Sequence, residues 1–462
     1  MSSSERGRLF GALFDRGPAD TGDEAWLQAM LDTEAALARA LERAGLAAAG
    51  AGAAVSAAAQ AGAFDAAELG RLAAGAGNPV PGLVRALTAR LPPEAAAAVH
   101  KGATSQDIID TAVMLMARRV LDAVRADLSA AARAAAGLAQ AHRHTIMIGR
   151  TLLQQAVPVT FGLVAAGWLT GIDEARQGLD RILAQRLAVQ FGGAAGTLAP
   201  LGDDGPRVAL LLAEELGLAR PAAPWHTDRL RILELAAALA GTCGVLSKVA
   251  RDVTLLSQSE VAEVRETDPG PGQARGGGRR GGSSAMPNKR NPVAAIVILG
   301  CARRAPGLLA TLAACAEQEH QRAAGAWHAE WEPVTDLLRL TGSAASWAAE
   351  LLAGLEVDAH RMRANLDAAG GFPLAENVAA VLAPSLGHPA AHDLVAEASA
   401  RAAAAGQGFR DALLSSPEIA PRLAEAGITP DRIDAALDPA AYLGSAVAFT
   451  DAALAAHRSL PS

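Results

Sequence analysis

Ser283, Ser284, Lys289, Arg290 and Asn291 lie within nine residues of one another, at the end of a glycine-rich stretch spanning 270–292. Hydroxyl, ammonium, guanidinium and amide groups gathered so closely can close over an anion, because each donates a hydrogen bond and two carry charge. The preceding glycines lower the cost of unusual backbone angles and of close approach to a ligand. On composition alone, the same stretch equally describes a flexible linker with solvated charges.

Other polar clusters are fewer. Thr104-Ser105-Gln106-Asp107 precedes a long apolar-periodic run and reads as a helix start. His328 lies between Trp327 and Trp331 beside Glu330, and His226 follows Trp225. Each of the two histidines is either a proton carrier or a packed, hydrogen-bonded side chain. His142 and His144 fall at a predicted helix end, where a cation suits the dipole. No His pair has metal-ligand spacing, so no metal is expected. Gly192 to Gly196 does not sit between a strand and a helix, and the run Arg275–Arg280 lacks the GK[ST] of a phosphate loop. A net charge of −7 gives no basic field for nucleic acid, so a small molecule is the expected partner.

The elements that must hold these groups are helical. Half the residues are apolar but only 3% are aromatic, and Ala, Leu and Gly replace the residues that strands favour. Helical spacing covers 23–47, 104–144, 160–189, 227–266, 294–324 with a kink expected at Pro306, and 333–355. In the fourth of these, Ile232, Leu239, Leu246 and Val253 recur every seven residues, with Leu235, Thr242, Val249 and Leu256 three behind. That is bundle spacing. The division expected is 1–103 as an N-terminal helical domain, 104–356 as a central bundle carrying loop 270–292, and 357–462 as a small C-terminal helical domain. Cys243, Cys301 and Cys315 lie apart in apolar stretches and read as core thiols of a reducing compartment. No segment offers about 18 charge-free apolar residues, so no membrane span is expected and the chain reads as cytoplasmic.

The order of residues in Gly282-Ser283-Ser284-Ala285-Met286-Pro287-Asn288-Lys289-Arg290-Asn291-Pro292 resembles the signature loop GSSxMPxKxNP of the fumarase/aspartase superfamily. The resemblance implies an all-α, three-part fold with a central long-helix bundle. It also implies that Ser283 acts on the proton beside a substrate carboxylate, that Lys289 and Asn291 hold that carboxylate, and that Ser284, Met286 and Arg290 contact the substrate. Charge built there needs fixed donors, and a serine serves as a base only when its alkoxide is held. Lys101 to Asp107 is similar to the family's first region, which makes Thr104 and Ser105 carboxylate binders; as a bare helix cap the same residues read equally well. Gly149 to Ala156 is similar to its second region, with Thr151 and Gln154 as binding groups. Many relatives carry a His after that Thr, whereas here the position is Leu152; His328 or His226 is then the candidate proton relay.

Within the superfamily, the stretches around 149–169, 189–202, 224–232, 281–293 and 325–333 are most similar to bacterial 3-carboxy-cis,cis-muconate cycloisomerases. The chain departs from them at Asn288, where His is usual, and at Asp228-Arg229-Leu230, where Gln-Arg-Asp is frequent. The resemblance implies carboxylate addition to a carbon–carbon double bond, closing 4-carboxymuconolactone. It also implies a di- or tricarboxylate substrate, no cofactor, and a homotetramer with shared active sites. A lyase releasing fumarate from adenylosuccinate, argininosuccinate or nitrosuccinate is the alternative, and a non-catalytic helical protein a remote one.

Overall fold

The computed structural model describes residues 9–267, 281, 282, 286 and 288–460. Helix α1 (Asp23–Arg43) opens on Asp23 and Glu24 and closes on Arg43, charges that complement its dipole. The Ala/Gly-rich stretch that follows forms short helices, α2 (Ala51–Ala58), α3 (Ala66–Ala76) and α4 (Val80–Thr88). Asp65 caps α3 by accepting from the Ala67 and Glu68 amides.

The long runs come next: α5 (Ser105–Ala141), α6 (Phe161–Gln185), the shorter α7 (Gly205–Leu216), α8 (Leu230–Leu256), α9 (Val293–Ala314) and α10 (Trp331–Ala353). Every heptad position named in α8 is buried, from Ile232 to Leu256. Helix α8 is shorter than its periodicity predicts, because β3 (Val264–Glu266) leaves the run to pair antiparallel with β4 (Leu355–Val357). Helix α9 continues through Pro306 and stops at Ala314, ten residues before its expected end. By length and hydropathy α8 and α9 match membrane spans, yet 44% and 39% of their apolar windows are buried inside the protein.

The all-α expectation needs a further addition besides the β3–β4 pair. Between α5 and α6, β1 (Ile146–Thr151) and β2 (Gln154–Thr160) form an antiparallel hairpin with Thr151 opposite Gln154. The β-branched residues favour strand, but the two-residue turn is Leu152-Leu153 instead of the usual Asn-Gly, so the sequence hides it. His142, expected as a solvated cation, packs edge-on against Phe161 at 5.5 Å, and burial pushes its pKa down.

The chain packs into two compact units. The first comprises Met1–Ser129, Glu174–Ser247 and Ile296–Ala349; the second comprises Ala130–Asp173, Lys248–Ala295 and Glu350–Ser462. The second unit includes the short helices α11 (Ala359–Ala368), α12 (Ala375–Leu386), α13 (His388–Ala405), α14 (Phe409–Ser415), α15 (Ala420–Glu425), α16 (Pro430–Ala436) and α17 (Ala446–Ser459). Val378, Leu382, Leu394, Phe409, Ile419 and Ile433 are among the residues of a core inside it. All three cysteines are buried, and burial pushes the thiols of Cys243 and Cys301 up to about 11 and about 12, which leaves them unreactive.

Candidate active site

In the first unit, α5 begins at Ser105 and its first turn is held from below by Asp107. That carboxylate accepts the Thr104 amide at 3.0 Å, the Gly192 and Gly193 amides at 3.1 and 2.8 Å, and the Gln190 side chain at 3.1 Å. Burial raises its pKa to about 6, against the pull of the Gly193 amide and the nearby Arg322. The hydroxyls of Thr104 and Ser105 are half-buried, and neither has a hydrogen-bond partner among the described residues. The cap is therefore made by Asp107, and the two hydroxyls at the helix N-terminus stay available to an anion.

One turn further, Asp110 enters a buried ion cluster. Arg229 donates to Asp110 at 2.7 and 3.1 Å and to Glu330 at 2.5 to 3.2 Å, with all three side chains 1 to 3% exposed. The Trp327 indole donates to Asp110 at 2.9 Å, and Gln318 donates to Glu330 at 3.1 Å. Burial pushes the Glu330 pKa up, and Arg229 opposes it. The cluster fixes the segment bearing His328 against the first turns of α5. His328 itself is exposed between Trp327 and Trp331, with ring centroids 5.0 and 4.9 Å away.

His226 is in the same neighbourhood. Its carbonyl accepts from Gln106 at 2.7 Å, Gln106 in turn accepts from Arg322 at 2.7 Å, and Arg322 also binds the Gly193 and Ala194 carbonyls. The ring packs against Gly196, where an added Cβ would lie 2.8 Å from Cε1. Burial first, and Arg322 second, push its pKa down, so it is neutral at neutral pH. Asp228 caps α8 through the Leu230 amide at 3.1 Å and is exposed, while its neighbour Arg229 is committed to Asp110 and Glu330.

The remaining candidates lie in the second unit. Thr151 and Gln154 flank the hairpin turn and are exposed; Leu152 and Leu153 are 96% and 74% exposed at φ 50° and 66°. The hairpin is anchored just before its tip, where Arg150 grips the fully buried Glu263 at 2.9 and 2.8 Å and Asn365 completes the carboxylate at 2.8 Å.

Gly281 and Asn291 close the neck of the glycine-rich loop. The Asn291 amide and side chain both donate to the Gly281 carbonyl, at 2.9 and 3.2 Å, and Gly282 bridges to Arg290. Gly281 has φ +77°, and a Cβ there would lie 2.4 Å from the Asn291 carbonyl, so only glycine fits. Glu266 caps α9 through the Ala294 and Ala295 amides, which fixes the exit of the loop. Met286, Lys289 and Arg290 are exposed. Ser283 and Ser284 lie outside the described residues.

A family model described as lyase matches residues 15–307, and one described as adenylosuccinate lyase C-terminus matches 371–453. A 3-carboxy-cis,cis-muconate cycloisomerase from Bradyrhizobium diazoefficiens is 47% identical over 432 residues, 93% of each chain. The chain belongs to the fumarase/aspartase superfamily. A second relative in it, a nitrosuccinate lyase from Streptomyces davaonensis, is 45% identical over 447 residues, 94% of this chain and 91% of its own. The crystal structure of 3-carboxy-cis,cis-muconate lactonizing enzyme from Pseudomonas putida superposes with a TM-score of 0.87 at 42% identity, covering 97% of this chain and 99% of that one.

The superfamily motifs assign no role to Asp110, Arg229, Glu330 or Arg322. A signal for them was present nonetheless: Asp107 and Asp110 stand three apart at the start of an apolar helix, and acids buried there require partners.

Proposed function

We propose that the chain is a 3-carboxy-cis,cis-muconate cycloisomerase. The observation that carries the reading is full-length similarity to such enzymes at 47% identity, with the loop around Lys289 and Asn291 intact. One substrate carboxylate oxygen bonds to a carbon of the conjugated system, that double bond's electrons move to the carbon beside a second carboxylate, and Ser283 delivers a proton there. The alkoxide left on Ser283 regains its proton from solvent, so the ionised substrate takes up one proton in all as the lactone closes. Lys289, Asn291, Thr104, Ser105 and Thr151 hold the carboxylates, and Gln154, Ser284, Met286 and Arg290 complete the contacts. His328, exposed between its two indoles, suits a proton relay better than the buried His226. The chain works as a homotetramer whose copies pool the three regions.

A second reading has its own support: the nitrosuccinate lyase relative is nearly as similar as the cycloisomerase. Ultraviolet absorbance separates the two, since lactonisation consumes a conjugated diene and elimination creates fumarate. Turnover of the muconate with at least about a hundredfold higher kcat/KM than nitrosuccinate is the expected result, well above the discrimination that a missing methylene provides. The reverse ratio overturns the proposal.

A further inference from the structure

In the second unit, several local features converge on the paired bonds between Arg150 and Glu263. The β1–β2 pairing shifts register between Ile148 and Arg150, and Gly149 at the shift lies so close to β2 that a Cβ would sit 2.6 Å from the Val157 carbonyl oxygen. Such a shift re-aims the side chain that follows it. Ala262 holds φ +53° immediately before Glu263, a left-handed conformation that is costly for alanine and persists only where its surroundings fix it. Glu263 then enters the interior with its side chain 0% exposed.

Helix α11 holds the same segment. Asn365 donates to the Glu263 carboxylate and to the Val261 carbonyl, each at 2.8 Å, while Arg361 donates to the Glu260 and Val261 carbonyls at 2.7 and 3.1 Å. The Asp358 amide, one residue before α11, donates to the Glu263 carbonyl at 3.0 Å. From the same helix, Leu366 packs into a small core with Ile148 of β1. The hairpin and the segment that grips it are therefore both referred to α11.

A buried ion pair is a weak source of stability, because both charges lose their water, but a two-bond pair of guanidinium and carboxylate fixes direction as well as distance. Arg150 immediately precedes Thr151, and Thr151 pairs with Gln154 across the two-residue turn. We propose that Glu263 is a positioning residue: through Arg150 it sets where Thr151 and Gln154 stand, and α11 sets Glu263 in turn. The inference rests on the reading of Thr151 and Gln154 as substrate contacts. It gives Asn365 a part in substrate binding that acts through Glu263 and Arg150.

Loss of folded enzyme lowers the apparent kcat and leaves KM alone, so KM separates positioning from stability. It is measured on the full chain with whichever of 3-carboxy-cis,cis-muconate and nitrosuccinate the wild type turns over. Glu263→Gln, which keeps the shape and removes the charge, should raise KM at least about tenfold, the effect of losing a hydrogen bond to the substrate carboxylate. Asn365→Ala, which leaves the Arg150 pair in place, should raise it by a smaller factor, roughly threefold. Thr151→Val combined with Gln154→Ala should itself raise KM, and adding Glu263→Gln to that tip variant should change KM by less than about twofold, because residues acting through one another are not additive. Amide hydrogen exchange should quicken over 146–160 in Glu263→Gln and stay as in wild type over α13. An unchanged KM or unchanged hairpin exchange in Glu263→Gln, or an undiminished effect on top of the tip variant, overturns the proposal. Where Glu263→Gln does not fold, the same comparisons on Asn365→Ala decide, and an unchanged KM there overturns it. A tip variant that by itself leaves KM unchanged removes Thr151 and Gln154 as contacts, and the proposal falls with that reading.

Discussion

Asp107 pays for its place beneath the first turn of α5 with a raised pKa, and this gives stability a pH signature. The folded chain keeps the proton up to about 6, while an unfolded Asp releases it near 3.8. The contribution is therefore full below the unfolded value and is lost as pH rises through the folded one, by about 3 kcal/mol at most. Asp107→Asn removes that titration, so the stability gap between wild type and variant should be wider by up to about 3 kcal/mol at about pH 4 than at about pH 7. Urea denaturation at both pH values checks this; a pH-independent gap contradicts it. At Gly281, the predicted clash with the Asn291 carbonyl means that Gly281→Ala should open the loop neck. Turnover should fall roughly a hundredfold with unchanged circular dichroism, the cost of misplacing catalytic groups by about an ångström. Residue order made Lys289 and Asn291 legible as candidates, since their spacing in the loop is specific. It did not reveal the Asp110, Arg229 and Glu330 cluster, whose members are up to 220 positions apart and meet only in the fold.

The long helices were legible because apolar periodicity and capping act locally, and α5, α6 and α10 begin and end within a few residues of where the pattern places them. The hairpin before α6 was not, because Leu152-Leu153 carries no turn signal and is held by the distant Arg150 to Glu263 bond. Two leucines at positive φ store strain at an exposed tip. Replacing them with Asn-Gly should relieve that strain and raise stability by about 1 to 3 kcal/mol, while lowering turnover because the tip carries Thr151 and Gln154. Thermal melting and kcat measured on the same preparation test both halves. A variant that gains no stability contradicts the strain, and one that keeps full turnover contradicts the placement of the tip at the substrate.

For the whole molecule, the reading requires association. Leu230 and Ile296, on the two helices long and apolar enough to match a membrane span among the described residues, are half exposed, and more than half of each helix's apolar window is unburied in a single chain. Sedimentation equilibrium should give four times the mass of the chain; full turnover by a monomer contradicts a site pooled among copies. The central claim is carboxylate addition with protonation at the carbon beside a carboxylate, and it is tested most directly by proton NMR of the product formed from 3-carboxy-cis,cis-muconate in D₂O. The predicted product is 4-carboxymuconolactone with a single deuterium on the carbon beside the carboxylate, formed by wild type and lost in Ser283→Ala. An unchanged diene with wild type, or lactone labelled equally well by Ser283→Ala, would contradict the account.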